Sequence, residues 1–269
     1  MSRLTTTIIV SAMCLSSTST LFADDKPDER PLYQQQTERI ETTSAEAIKR
    51  ETAAIKASPD DKQAYSRRGD AYFFTGQFDK AVADYEKMVA LDPEIAPKHW
   101  RLGLAYYFAG RYAETAKQLG LYHSYDDQDR ENGIWIFLAQ AQSDGIEQAR
   151  KQMIRYKKED RAPLPDVYRM FEGKLTAEEL LGRIDAEIEQ KQLPQAVREQ
   201  RLFYAHLYIG LFAEAEKDPR RARQSYLAAC EQNWPLKAGF GPAYMWHCAR
   251  LRLVELDKMA DEQTTDKAK

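Results

Sequence analysis

The chain has 269 residues, 43% hydrophobic and 30% charged, with 39 Lys+Arg against 42 Asp+Glu for a formal net charge of -3. That is enough apolar material for a sizeable core and too much for a disordered chain. The balanced charge excludes the basic excess expected of a nucleic-acid binder and the single-sign block of a polyelectrolyte partner.

Residues 1–23 read as a secretory signal peptide. Arg3 supplies the positive start, Leu4–Leu15 is largely apolar or small, and LSSTSTLFA runs into the acidic DDKPDE, which puts cleavage after Ala23. The apolar run is too short to span a bilayer. A lipoprotein signal on Cys14 is the rival reading, and the bulky Met13 departs from it. The protein is therefore expected in the periplasm or at the outer membrane. Cys14 leaves with the signal, and Cys230 and Cys248 enter an oxidising compartment either as a disulfide or as two buried thiols. The spacing of the cysteines suits neither zinc nor haem.

Residues 24–156 read as helices and repeats. Thr43-Ser-Ala-Glu46 has the form of a capping box, opening a helix with Ala47, Ile48 and Ile55 on one side and Pro59 after it. The clearest repeat lies within 62–127. Arg67–Lys80 (RRGDAYFFTGQFDK) and Arg101–Glu114 (RLGLAYYFAGRYAE) stand 34 residues apart and share six identical positions of fourteen. A fixed period of that size is the mark of a repeat protein, because one helix pair cannot bury its apolar face alone. Tyr65, Gly69, Tyr72, Ala81, Tyr85 and Pro93 give the first copy the pattern of a tetratricopeptide repeat, which it resembles over the whole unit. Trp135, Leu138 and Ala139, with a turn at Gly145 and a helix through Met153, read as an eroded third copy. Tyr204, Leu207, Tyr208, Ala222, Tyr226 and Ala229 read as a degenerate fourth, with extra residues between its helices.

Lys157–Pro165 (KKEDRAPLP) marks the internal boundary, and residues 157–256 form a C-terminal helical region. Its expected helices are Asp166–Phe171, one opened by the capping box Thr176–Glu179, Gln195–Lys217, one starting at Asp218-Pro219, and Ala243–Lys258. The tail DEQTTDKAK has no large apolar residue, and residues 257–269 are expected to be disordered. The fold class is thus all-α, a tetratricopeptide-repeat solenoid with additional C-terminal helices.

Arg101–Arg111, Trp135–Ala139 (WIFLA), Val167–Gly173, the helix from Thr176 and Phe203–Tyr208 (FYAHLY) also resemble the bacterial lipoprotein family called new lipoprotein I. The resemblance implies an all-helical adaptor that tends to dimerise, docks a periplasmic tail-specific protease and brings it peptidoglycan-cleaving enzymes. By analogy with tetratricopeptide proteins, first helices line a concave groove in a right-handed array. Phe73, Phe74, Trp100, Leu104, Tyr107 and Phe108 then face or border that groove as partner-binding residues. Ser66 and Asp70 stand where the chaperone-tail carboxylate clamp needs basic and amide residues, so apolar or aromatic segments are the expected ligands.

No catalytic constellation, cofactor motif or metal site stands out. His99, His123, His206 and His247 are scattered singly, and Asp126–Glu131 fails the calcium-loop spacing at Gly133 and Leu138. The acids there suit the start of the Trp135 helix instead. A non-catalytic adaptor is the first reading. The alternative is an exported enzyme or accessory subunit, signalled by a cleft that gathers two or more histidines with a carboxylate.

Overall fold

A computed structural model describes residues 30–267, with side chains to residue 262. The expected signal peptide, Cys14 included, lies outside the described residues. From Leu32 onward the chain is helical, and among the described residues there is no strand.

Helix α1 (Leu32–Ala57) stands alone and packs on the first repeat, α2 (Lys62–Phe74) and α3 (Phe78–Leu91). A 3-10 turn over Pro93–Lys98 leads to the second pair, α4 (Trp100–Phe108) and α5 (Tyr112–Tyr125), then to the third, α6 (Arg130–Asp144) and α7 (Ile146–Gln152). Next come α8 (Leu164–Phe171) and α9 (Ala177–Lys191), then the long pair α10 (Gln195–Ala215) and α11 (Pro219–Cys230). The short α12 (Trp234–Lys237) and the long α13 (Phe240–Lys267) complete the chain. This is an all-α tetratricopeptide-repeat solenoid.

Local chemistry accounts for the starts. Asp61 accepts from the amides of Gln63 and Ala64, Asp129 from Glu131, and Asp218 from Arg221, each satisfying an otherwise orphaned donor. Thr176 and Glu179 form a reciprocal capping box at α9. The expected box at Thr43 does not form. There α1 runs straight through, and the Thr43 hydroxyl donates back to the carbonyls of Arg39 and Ile40, which already belong to the same helix.

The pairs close on one recurring contact. An added Cβ at Gly69 would lie 2.6 Å from Tyr85, at Gly103 2.4 Å from Leu119, and at Gly210 2.6 Å from Tyr226, each pair sixteen residues apart. The fourth repeat is therefore registered on Gly210, two residues beyond the place that Tyr204 implies, with no extra residues between its helices. Its turn repeats the others as well: Asp218 N–H donates to Ala213 as Gln77 does to Tyr72 and Arg111 to Tyr106. That turn needs a left-handed residue, supplied by Gly76 (φ 72°), Gly110 (φ 74°) and, in the fourth copy, Lys217 (φ 62°).

Helix α13 departs from expectation. Tyr244, Met245 and Trp246 are all buried, as are Cys248, Ala249 and Arg250, so every side of two turns is covered. Such a helix belongs in a core. It packs along α10, α11 and α12 and meets α2 and α4 through ring contacts with Phe73, Phe74 and Trp100. Asp257 near its end takes hydrogen bonds from Tyr33 of α1 and Arg223 of α11, both at 2.6 Å. The helix continues through Lys267, where disorder was expected from residue 257. Asp, Glu, Gln, Lys and Ala are fair to good helix formers, and Leu256 and Asp257 anchor the segment before them.

Candidate functional site

The face expected to receive a partner is largely covered from within. Phe73 is 0% exposed and stacks on Tyr244 of α13 at 4.6 Å between ring centroids, and Phe74 stacks on His247 at 3.9 Å. Phe108 lies edge-on to Phe73 and tilted against Phe78. Tyr107 is buried against Trp135. Phe73 and Tyr107 are therefore packing residues rather than groove residues, whereas Phe74 and Phe108 are partly exposed and line a second cavity of about 310 Å³ with Phe78, Arg250 and Leu251. The physical reason is α13, whose apolar circumference needs a face on every side. Arg250 of α13 adds a tie, donating to the Phe74 carbonyl at the end of α2.

Ser66 and Asp70 are likewise engaged. Arg101 donates to both Asp70 oxygens (2.6 and 2.7 Å) and to Ser66 Oγ (3.0 Å), and Tyr85 donates to Asp70. Burial nonetheless pushes the Asp70 carboxyl above its usual range.

Trp100 and Leu104 have a different setting. They line a cavity of about 320 Å³ between α4, α6, α10 and α12, closed on one side by the start of α13. Trp135, Tyr122, Tyr204 and Trp234 contribute further aromatic wall, and Gln200 sits among them. Half-exposed Phe240 packs on Trp100 beside it.

The polar end is built at the start of α6. Asp129 caps the helix, Asp160 accepts from Arg130 N–H at 2.9 Å, and both acids oppose the positive end of the helix dipole. Glu131 is buried, accepts from Tyr208 at 2.5 Å and pairs closely with Arg161. Burial raises its pKa to about 7 against the pull of Arg161. Burial also raises Asp129. Asn132 donates to the Leu119 carbonyl at 3.0 Å, leaving its Oδ1 without a hydrogen-bond partner.

The acids of Asp126–Glu131 stand at the start of this helix as expected, but Glu131 turns inward instead of facing solvent. The signal was present in WIFLA: a helix with buried Ile134, Trp135, Ile136, Phe137 and Leu138 has no wet face near its start.

None of the four histidines lines the cavity. His99 caps α4 through Nδ1, and burial lowers its pKa to about 4. Among the described residues, no group of three or more His, Cys, Asp or Glu is arranged to hold a metal ion. No described helix is long and apolar enough to cross a membrane. Cys230 and Cys248 are buried free thiols, so the disulfide alternative is not realised. Burial raises both, Cys230 beyond the usual thiol range, which makes them poor nucleophiles.

Comparison with known proteins agrees with this architecture. The tetratricopeptide-repeat family model matches residues 63–95, which span α2, α3 and the start of the 3-10 turn. Hsp70-Hsp90 organizing proteins 3 and 2 of Arabidopsis thaliana are each 33% identical over 91 residues, 33% of this chain and 16% of theirs. The likeness thus covers about a sixth of those relatives' length.

Proposed function

We propose that this chain is a non-catalytic protein-interaction adaptor that grips a short segment of a partner protein in the cavity of Trp100, Leu104, Trp135, Tyr204 and Trp234. The carrying observation is that cavity, with aromatic walls contributed by separate repeats. Buried aromatic clusters of this kind anchor interfaces. Similarity to proteins named as organizers of two chaperones supports the adaptor class. The engagement of Ser66 and Asp70 with Arg101 speaks against capture of a free C-terminal carboxylate at those positions.

The finer proposal is that the adaptor is exported and serves envelope proteins, such as a protease or a cell-wall enzyme. It rests on Arg3, the apolar run Leu4–Leu15 and Ala23, and on the resemblance of Arg101–Arg111 and Phe203–Tyr208 to the lipoprotein family. Crosslinking capture from the envelope fraction, analysed by mass spectrometry, tests both levels. Wild type should recover a defined partner, and Trp100→Ala should remain folded while losing most of it. A Trp100→Ala protein that is stable and captures fully would remove the cavity from the reading. Capture only from cytosol would remove the envelope.

A further inference from the structure

We infer that the cavity between α4, α6, α10 and α12 receives a basic side chain, a lysine ammonium or arginine guanidinium, carried by the partner segment. This deepens the adaptor reading and rests on it.

Three independent features of the wall agree. The first is charge: Asp129 and Glu131 face one cation, Arg161, which Glu131 and Asp160 already engage. An incoming anion would meet the carboxyls of Asp129 and Glu131, whereas an incoming cation would be paired by both and favour their ionised forms. The second is the aromatic lining. Trp100, Trp135, Trp234, Tyr122 and Tyr204 offer apolar surface to an aliphatic stem and ring faces to the charge at its end. The third is unfilled hydrogen-bonding capacity. Asn132 is 3% exposed, and its bond to the Leu119 carbonyl fixes which amide atom is left over. That atom is Oδ1, an acceptor with no donor. Acceptors at a buried wall call for a donor-rich ligand, and ammonium and guanidinium are donors only. Trp135 Nε1, buried and also without a partner, suits a backbone carbonyl of the same segment.

The test uses the whole chain, 15N-labelled on its four tryptophan indoles. Three of these line the cavity, and Trp246 instead donates to the Cys230 carbonyl at 3.3 Å. N-acetyl-lysine methylamide and its arginine counterpart should shift the signals of Trp100, Trp135 and Trp234 and leave Trp246 in place. Both should bind at least about tenfold more tightly than the neutral N-acetyl-norleucine methylamide, which keeps lysine's aliphatic stem and lacks its ammonium, as expected for a charge-assisted contact. Glu131→Gln should weaken the lysine probe several-fold, and Gln200→Arg, at the rim, should do the same without touching the buried pair. Equal binding of norleucine, or preference for N-acetyl-glutamate methylamide, would overturn the inference. Cadaverine binding without the capped amino acids would make the ligand a free amine and remove the partner segment, adaptor reading included. A partner held through this cavity by a segment lacking Lys and Arg would overturn the inference and leave the adaptor standing.

Discussion

Gly103 has no side chain to offer a partner, and an added Cβ would meet Leu119 Cδ2 at 2.4 Å. Gly103→Leu should therefore overpack the α4–α5 contact and cost about 1–3 kcal/mol in denaturant unfolding. Lys217 poses the opposite case. It holds φ 62° where the other repeats use glycine, so Lys217→Gly should stabilise by about 0.5–1 kcal/mol as left-handed strain is relieved. A loss of stability would mean that the lysine side chain contributes more than the strain costs. Glu131 makes a pH-dependent contribution. Asp129, Asp160 and Arg161 surround it, with Tyr204 and Tyr208 from α10, Tyr122 from α5 and Cys248 from α13. Its folded pKa of about 7 lies above the ordinary 4.5, so the folded state holds the proton more tightly. The stability it adds is complete below pH 4.5 and fades as pH rises through 7. Between pH 5 and 8 the unfolding midpoint of wild type should fall relative to that of Glu131→Gln. That comparison cancels the opposite slope contributed by buried His99, His206 and His247, whose pKa values burial lowers. A constant difference would show that Glu131 is ionised throughout.

Among the elements, the repeats were legible because their constraint is local: a glycine, its large partner one helix later and a left-handed turn all fall within one 34-residue unit. The expected register of the fourth pair lies two residues early, since Tyr204 and Tyr208 advertise aromatic character while Gly210 does the closing. Helix α13 was the element least legible in its role. Its sequence Tyr244–Arg250 carries apolar residues on every face, a pattern of burial, but periodicity cannot say against which neighbours. The structure answers with Phe73, Phe74 and Trp100. Tyr244 is fully buried, and its hydroxyl lies 3.3 Å from that of Tyr85. Tyr244→Ala should cost about 3–5 kcal/mol, the loss of a core aromatic. A chain ending at Gly239 should expose the α2–α4 face and aggregate. A soluble truncated protein with unchanged melting temperature would instead mark α13 as a detachable flap.

Within the helical unit that begins at Pro31, the first helix and the fourth repeat come together, α1 and α11 meeting at Asp257 of α13. The fold class could be read from a repeated glycine–aromatic pattern. The site could be read only in part, because Trp100 and Leu104 belong to it while Trp135, Glu131, Arg161, Tyr204 and Trp234 arrive from residues far along the chain. Assembly of that kind depends on how many pairs stack and where the last helix goes, neither of which one period records. The proposed binding site thereby shifts from the α2 face to the cavity between α4 and α10. Photo-crosslinking from single positions tests that shift most directly. With p-benzoylphenylalanine placed at Gln200 on the cavity, at Phe74 under α13, or at Tyr125 on an exposed face as control, the account predicts partner capture from Gln200 alone. Capture from Phe74 with none from Gln200 would contradict it.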